Sequence, residues 1–376
     1  MKIVIAPDKF KGCLTAAEVC RAIAAGLRWV DPAVFIDECP MADGGEGTVA
    51  ALVEATGGRL ITRRVTGPLP EMKVDAIFGM LGDGQTAIIE MAAASGLALL
   101  KPEDRNPLFT TTFGTGELIN AAIELGAKKI ILGIGGSATV DGGIGCAQAC
   151  GHTIILENGE PVSPTEPLVG ADVSRVVLIK RHRGEKTDGV PIIVACDVEN
   201  PLFGPCGAAE VFGPQKGATP EQVVQLDAAL RQLAIRMNQI ALAEFPGAGA
   251  AGGLGFGMMA YFGAVLQRGV EIVIDATGLR ERLCGADLCI TGEGSLDAQS
   301  AHGKTVVGVS RLCRELGVPC IALAGAIGEG AEKVLDEGMT AYFGICDRPM
   351  SLAEAMRDAA LLLKSAAANV LRARPR

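Results

Sequence analysis

Short apolar runs alternate with helical patterns at both ends of this chain, and few folds produce that alternation. Residues 2–6 form a β-branched apolar run that ends at Pro7-Asp8, and Thr15 to Glu18 has the pattern of a capping box that opens a helix. A second strand over residues 34–39 precedes a helix that begins at Thr48. This order of elements predicts a parallel α/β sheet.

The middle of the chain has a different pattern. Strand-like runs over 60–65, 73–81 and 85–91 are joined by turn signals, Asn158-Gly159 predicts a hairpin, and residues 220–245 predict one long helix. After residue 283 the alternation returns. It predicts strands over 288–291, 318–323 and 341–345, a loop over 292–297, and helices over 306–316, 329–337 and 352–371.

We therefore predict an α/β fold in which both termini form a Rossmann-like parallel-sheet domain. A second α/β domain, containing mixed sheet, is inserted into it. The predicted boundaries give residues 1–65 plus 284–376 for the Rossmann-like domain and 66–283 for the inserted domain, a division that the length of 376 residues permits.

Composition excludes several classes of protein. A hydrophobic content of 49% with 20% charged residues describes a chain that can bury a core, so global disorder is excluded. No apolar run approaches the roughly 18–20 residues that cross a bilayer. The net charge of −9 argues against nucleic acid as a partner, because phosphate backbones select basic faces. The Met-Lys start runs directly into Asp8 and Lys9, without the apolar region of a signal peptide, so we expect a cytoplasmic protein.

The twelve cysteines include no Cys-x-x-Cys pair, and the sequence holds only three histidines. Structural zinc sites need such ligands at short fixed spacings. We therefore expect the cysteines to be reduced packing residues, as is usual in the cytosol.

Glycine supplies 50 residues and concentrates where predicted strands end. Two such segments, Asp43-Gly-Gly-Glu-Gly47 and Asp141-Gly-Gly-Ile-Gly145, each follow a strand and open a helix. Glycine there lets backbone N–H groups approach an anion, and a carboxylate beside a phosphate requires a cation such as Mg²⁺ between them. The alternative is that each aspartate only caps its helix.

Two glycine patterns resemble nucleotide motifs without matching them. Gly247 to Gly252 spells G-x-G-x-x-G but follows the end of a helix, where the dinucleotide fingerprint follows a strand. Gly303-Lys304-Thr305 resembles half of a Walker A motif, but Ala298 stands where the first glycine belongs. Lys304 at a helix start remains a candidate phosphate contact.

A further cluster joins Asp197, at the end of a strand, to Lys216 in the rigid turn Phe212–Gly217. Proline and glycine restrict the backbone of this turn and so fix the position from which the lysine is presented. This favours a functional role for the lysine over a solvated surface position. Ser137 lies in Gly-Gly-Ser-Ala-Thr, which is not the nucleophile elbow of a serine hydrolase.

Together these segments resemble the type-1 glycerate kinases over essentially the whole chain. The resemblance rests on the joint order and spacing of motifs at residues 6–12, 40–48, 133–139, 141–143, 196–197, 200–201, 212–217, 246–253, 291–294, 297 and 303–304. Val140 stands where many relatives have a polar residue.

The resemblance implies ATP-dependent phosphorylation of D-glycerate with Mg²⁺, most simply giving 2-phosphoglycerate, with 3-phosphoglycerate as the alternative. We expect no nucleic-acid or membrane partner, from the charge and the lack of long apolar runs, and a homodimer is one candidate for the oligomeric state. Closure of the two domains over a cleft would exclude water from the reaction.

Phosphoryl transfer needs a metal across the phosphates, cations on the transferring oxygens and a carboxylate near the acceptor hydroxyl. We assign catalytic roles to Asp43, Asp197 and Lys216, with Asp43 and Asp197 also as the Mg²⁺ ligands. Which of the two aspartates acts as base, and which lysine faces ATP, does not follow from the residues. The expected substrate or phosphate contacts are Asp8, Lys9, Lys11, Gly44, Gly45, Ser137, Asp141, Gly142, Gly143, Glu293, Asp297 and Lys304.

Two other classes of function share these features. A nicotinamide-dependent oxidoreductase acting on a small hydroxy acid would use a similar sheet and similar glycines, and oxidation of NADH would reveal it. A non-catalytic binding protein would consume no ATP when glycerate and Mg²⁺ are present.

Overall fold

The computed structural model describes residues 1–45, 47–182, 184–298, 300 and 305–373. The strands are β1 Lys2–Ile5, β2 Phe35–Glu38, β3 Arg59–Thr66, β4 Lys73–Met80, β5 Thr86–Glu90, β6 Lys129–Gly133, β7 Thr153–Leu156, β8 Val176–Lys180, β9 Ile192–Ala195, β10 Val265–Gln267, β11 Leu288–Leu296, β12 Cys320–Ile327 and β13 Ala341–Gly344.

Helices follow most strands, as the alternation predicts. They are α1 Ala16–Val30, α2 Thr48–Thr56, α3 Ala92–Ser95, α4 Phe113–Glu124, α5 Ile144–Ala149, α6 Ala208–Phe212, α7 Pro220–Arg236, α8 Ile240–Ala243, α9 Ala250–Phe262, α10 Gly269–Thr277, α11 Leu279–Leu283, α12 Thr305–Leu316 and α13 Leu352–Ala373. Among the described residues, no helix combines the length and the apolar character that crossing a membrane requires.

The chain forms two compact units. The first unit comprises Met1–Asp43, Glu54–Thr56 and the described residues from Gly269 onward, and the second comprises Gly44–Val53 and Gly57–Arg268. These units divide the chain at other residues than the predicted boundaries near 65 and 284. β3 pairs with β4 along its whole length, which keeps it in the second unit, and α10 packs on α12 in the first.

The sheet of the first unit is parallel throughout, in the order β13-β12-β11-β1-β2. Counted along this unit, its strands lie in the order 2-1-3-4-5, which is one of the two common orders of doubly wound α/β folds. The order reverses between β1 and β11, and ligands of such sheets bind outside the carboxyl ends of the strands at that point. The predicted Rossmann-like parallel sheet is confirmed.

Helix α1 shows why local sequence forms these elements. The predicted capping box is present, because the Thr15 side chain accepts from the Glu18 N–H and Glu18 Oε2 accepts from the Thr15 N–H at 2.8 Å. The apolar stripe of α1 then packs on α13. A Cβ at Gly26 would lie 2.2 Å from the Lys364 carbonyl oxygen, so this close helix contact requires glycine.

The sheet of the second unit is mixed, as predicted, in the order β10-β9-β6-β5-β4-β3. Strands β10, β9, β6 and β5 run parallel, whereas β4 and β3 are antiparallel. The central strand β6 reads Lys-Ile-Ile-Leu-Gly, and its last four residues are buried. A large apolar core surrounds this sheet, and the carboxyl ends of β6 and β9 open beside each other.

Four predicted elements differ from the structure. The helix predicted over 220–245 is α7 and α8, because Asn238 between them adopts a left-handed conformation with φ 54°. The helix predicted over 329–337 is a short 3₁₀ turn, Ala331–Leu335, which follows the left-handed Gly330. The loop predicted over 292–297 belongs largely to β11, which pairs with β12 as far as Leu296.

The fourth difference concerns the hairpin at Asn158-Gly159. The predicted turn forms, closed by the antiparallel bridge from Ile155 to Pro161 and by a hydrogen bond from the Val162 N–H to the Ile154 carbonyl oxygen at 2.9 Å, but the longer partner of β7 is β8. The intervening chain carries Pro161, Pro164 and Pro167. Since proline has no N–H to donate, that segment cannot extend a ladder.

Candidate active site

A cavity of about 350 Å³ lies in the second unit, where β6 and β9 end. The last residues of these parallel strands, Gly133 and Ala195, are register partners, so the loops that follow them leave the sheet side by side. The cavity gathers predicted site residues from four separate segments of the chain: Gly44, Gly45, Ser137, Asp197 and Lys216.

Among the described residues of that lining Lys216 is the only lysine, and it is almost fully buried, with 2% of its surface exposed. Its Nζ donates to the Ser137 hydroxyl at 2.8 Å and to the Thr139 carbonyl oxygen at 2.7 Å. Burial lowers the pKa of Lys216 from 10.5 to about 7, and the negative charge of Asp141 opposes that shift. Both hydrogen-bond acceptors of the amine are neutral oxygens. An anion beside the amine would therefore stabilise its charged form.

The turn that presents Lys216 is built by its neighbours, as the Pro and Gly pattern predicts. Pro214–Lys216 is one 3₁₀ turn that follows α6, and Gly217 ends it with φ 91°. A Cβ at Gly217 would lie 2.1 Å from the Arg105 carbonyl oxygen. Glycine is thus required at this position by both the backbone conformation and the space.

Asp141 is buried in the second unit with no exposed surface. One carboxylate oxygen accepts from the Thr112 N–H at 2.8 Å and from its hydroxyl at 2.7 Å, while the other accepts from the Gly143 N–H at 3.1 Å. Burial raises the pKa of Asp141, and these hydrogen bonds counteract the rise. The carboxylate joins the start of α4 to the start of α5, so its contacts are internal to the protein.

The glycines after Asp141 also pack inside the protein. A Cβ at Gly142 would lie 2.9 Å from Leu233 Cδ2, and one at Gly143 would lie 3.2 Å from the Gly257 Cα. Both glycines are left-handed, with φ 61° and 76°. They let the chain turn tightly into α5 rather than lining the cavity.

The left-handed backbone of Ala251 and Gly252 was not predicted, although both residues lie in the G-x-G-x-x-G pattern of the sequence. Ala251 lines the cavity in a left-handed conformation, φ 54°, that is strained for alanine. Next to it, Gly252 has φ 68°, and a Cβ there would lie 1.9 Å from the Thr139 carbonyl oxygen that Lys216 contacts. The glycine-rich run at 247–253 thus begins after α8 and extends into the first residues of α9, where Ala251 contributes to this wall, and its G-x-G-x-x-G pattern does not follow a strand.

A second group of predicted residues lies at the carboxyl edge of the parallel sheet in the first unit. Asp8 follows β1, is buried, and accepts from the Thr305 hydroxyl at 2.7 Å. Burial raises the pKa of Asp8; the Thr305 hydrogen bond lowers it, and the nearby negative charge of Asp43 raises it further. Asp8 follows β1 and Asp43 follows the adjacent parallel strand β2, and together these carboxylates supply the hard oxygen ligands that Mg²⁺ prefers.

The other predicted residues of the first unit surround this edge. Lys9 is half-buried, Lys11 is exposed on the loop that packs against Gly294, and Asp297 accepts from the Ser300 N–H at 3.3 Å. Glu293 is buried and lies within β11 rather than in a loop. Lys304 and its neighbours His302 and Gly303 lie outside the described residues.

Sequence reasoning missed Thr112 and the role of Thr305. Thr112 closes a run of three buried threonines, residues 110–112, directly before α4, and that run was the available signal. Thr305 belongs to the half Walker motif, in which Lys304 was the predicted phosphate contact. Its hydroxyl is the donor that holds Asp8.

A doubly wound sheet, a second mixed sheet and glycine-lined loops carrying lysine and aspartate define an α/β enzyme class that handles small anionic substrates. Comparison with known proteins gives the family. Residues 3–374 match the model of the glycerate kinase family. The chain belongs to the glycerate kinase family and is a phosphotransferase.

Individual relatives are similar over nearly their whole length. A glycerate kinase of Haemophilus influenzae is 48% identical over 376 residues, covering 99% of this chain and 98% of the relative. A glycerate 2-kinase of Escherichia coli K12 is 45% identical over 366 residues, covering 96% and 94%. The crystal structure of a protein described as a candidate glycerate kinase 2 from Salmonella typhimurium LT2 has a TM-score of 0.87 at 43% identity, covering 99% of this chain and 97% of that one.

Proposed function

We propose that this protein transfers the γ-phosphoryl group of ATP to the 2-hydroxyl of D-glycerate, giving 2-phosphoglycerate and ADP. The observation that carries the proposal is the buried Lys216, with Ser137 and Asp197, in a glycine-lined cavity at two strand ends. A relative named glycerate 2-kinase, 45% identical, supports the 2-position over the 3-position.

Lys216 has the properties that binding of a transferring phosphoryl group requires. Its amine is preorganised by two hydrogen bonds and largely removed from water, so a neighbouring anion would interact with it far more strongly than with a solvated lysine. The approach of that anion favours the charged amine, and Lys216 then takes up a proton. The amine is already in position, so it can stabilise the charge that develops on the phosphoryl oxygens with little rearrangement.

The acceptor hydroxyl needs a carboxylate to take its proton. Asp197 is exposed in the cavity lining, directly after β9, and is our proposed base, with Asp43 as the alternative. Asp141 is fully buried and is proposed as a positioning residue, since its hydrogen bonds hold the start of α5 and its charge favours protonation of Lys216.

Mg²⁺ fits the donor chemistry of the carboxylates. We propose Asp43 and Asp197 as its ligands, and the proximity of Asp8 to Asp43 adds Asp8 to this set. When bound by these carboxylates, Mg²⁺ would neutralise part of the charge on the phosphates of ATP. Lys9, Lys11, Glu293, Asp297 and Lys304 stay proposed as substrate or phosphate contacts.

We also propose a cytoplasmic location, which the twelve free cysteines support, since thiols persist in reducing compartments. A homodimer stays a prediction that sedimentation of the purified protein can test.

The decisive experiment is incubation with ATP, Mg²⁺ and D-glycerate, followed by phosphorus NMR, which distinguishes the 2- and 3-phospho products. We expect 2-phosphoglycerate. Formation of 3-phosphoglycerate would overturn the position of transfer, and absence of both products would overturn the proposed reaction. Asp197→Asn should lose most of the turnover while Asp188→Asn, an exposed aspartate of the same unit, keeps it.

A further inference from the structure

Three buried cysteines meet inside the first unit. Cys289 on β11 and Cys320 on β12 are register partners on adjacent parallel strands, so their side chains point to the same face of the sheet. Cys313 lies on α12, the helix that connects these strands and packs on them. The three Sγ atoms all lie within 4.8 Å of one another, and none of the three residues has exposed surface.

This thiol trio (Cys289, Cys313 and Cys320) is separate from the residues proposed for catalysis. Cys320 begins β12 and Cys289 is the second residue of β11, so both lie at the amino end of the sheet. Glu293 is four residues further along β11, about 13 Å away at the rise of a β-strand. The proposed phosphoryl transfer therefore gives these thiols no role.

The geometry suits a metal bound to three sulfurs. A metal about 2.3 Å from each sulfur at the centre of a triangle requires sulfurs roughly 4 Å apart. The trio would have to contract by less than about 1 Å from its widest separation, which side-chain rotation can supply. Packing alone needs three small apolar side chains and does not require that their thiols converge.

The number and kind of ligands select among metals. Within the described part of the chain, the group holds three sulfurs and no fourth histidine, cysteine or carboxylate ligand. Structural zinc takes four ligands, whereas soft thiol ligands without a fourth partner favour Cu⁺. We propose that Cys289, Cys313 and Cys320 form a three-coordinate site for Cu⁺.

Charge balance sets the protonation of the occupied site. The three cysteines are fully buried, so thiolates there would be costly without a bound cation. Cu⁺ is bound by thiolates, so occupation of the site releases the remaining thiol protons to solvent. Copper stays Cu⁺, and no electron is transferred. Local opening of the exposed turn at Gly317 would admit the ion.

The test uses full-length protein in which the exposed cysteines Cys206, Cys284 and Cys346 are all replaced by serine. Cu⁺ is added without oxygen, in competition with a chromophoric Cu⁺ chelator. We expect this background to retain one equivalent of Cu⁺ and the Cys313→Ser variant to lose it, with affinity lowered at least about 100-fold. Retention of the same equivalent by Cys313→Ser, or no retention by the background, would overturn the site.

A matched control is Cys146→Ser, which alters a buried cysteine whose thiol neighbour is Cys150 alone. It should keep the copper equivalent, and its loss there would overturn the assignment. X-ray absorption of the loaded background should show three sulfurs at about 2.3 Å, and a two-sulfur shell would refute three-coordination. Kinase activity without copper should be unchanged in Cys313→Ser, which verifies its fold; Cys320→Ala provides a second variant if Cys313→Ser does not fold.

Discussion

Replacing Lys216 by methionine tests both the burial of this amine and its role. Methionine has a similar length and no charge, so the substitution removes the titration while filling most of the space. In the wild type the pKa of Lys216 is lowered from 10.5 to about 7 by burial. The unfolded chain therefore holds the proton at pH values where the native protein has released it.

The sign and size of the pH effect follow from that difference. Between about pH 7 and pH 10.5 the unfolded state binds more protons, so the free energy of unfolding rises with pH. Below about pH 7 both states hold the proton and this contribution is flat. Between pH 7 and pH 9, the titration of Lys216 raises the free energy of unfolding of the wild type by about 2 kcal/mol. Lys216→Met lacks this rise.

The assay is denaturant unfolding of the wild type and Lys216→Met at about pH 7 and pH 9. We expect the stability difference between them to shift by about 2 kcal/mol in favour of the wild type at the higher pH. Lys101→Met, an exposed lysine of the same unit, should show no such shift. If the free energies of unfolding of the wild type and Lys216→Met differ by the same amount at both pH values, the low pKa of Lys216 is refuted. The turnover of Lys216→Met should fall by at least about 100-fold, with Lys101→Met near wild type.

Four further predictions follow from the same contacts. At about pH 8, substrate binding should take up close to one proton, detected as a buffer-dependent binding enthalpy, and the uptake should vanish in Lys216→Met. Asp8→Asn should lower turnover by about 100-fold or more in steady-state kinetics, and wild-type rates would exclude a catalytic role for Asp8. Asp141→Asn should lower the free energy of unfolding by about 2–4 kcal/mol in urea, because an amide cannot accept all of its hydrogen bonds; an unchanged midpoint would contradict this. Gly252→Ala should destabilise by at least about 2 kcal/mol, since its Cβ would collide with the Thr139 carbonyl, and a thermal melt equal to wild type would show that the wall can relax.

Local elements could be read from the sequence where the signal was local. The capping box at Thr15, the strands that begin and end near the predicted residues, and the glycine turns after strand ends all depend on neighbours within a few positions. The helix break at Asn238 was missed because a left-handed asparagine does not interrupt an apolar pattern. The extension of β11 was missed because glycine-rich sequence resembles a loop until a partner strand pairs with it.

The site was only partly predictable for the same reason. Gly44, Gly45, Ser137, Asp197 and Lys216 were all named from their patterns, and they line one cavity. Ser137 and Asp197 meet because β6 pairs with β9, and no local pattern specifies that pairing.

By itself, the sequence determined the α/β class, the glycine-rich strand ends and the resemblance to a kinase family, because periodicity and motif spacing are properties of nearby residues. Only the tertiary structure decided how deeply Lys216 and Asp141 are buried and that three cysteines converge. Lys216 and Thr139 are 77 positions apart, and Asp141 and Thr112 are 29 apart. Desolvation and hydrogen bonding set the charge of such groups, and both depend on neighbours that only the folded chain brings together.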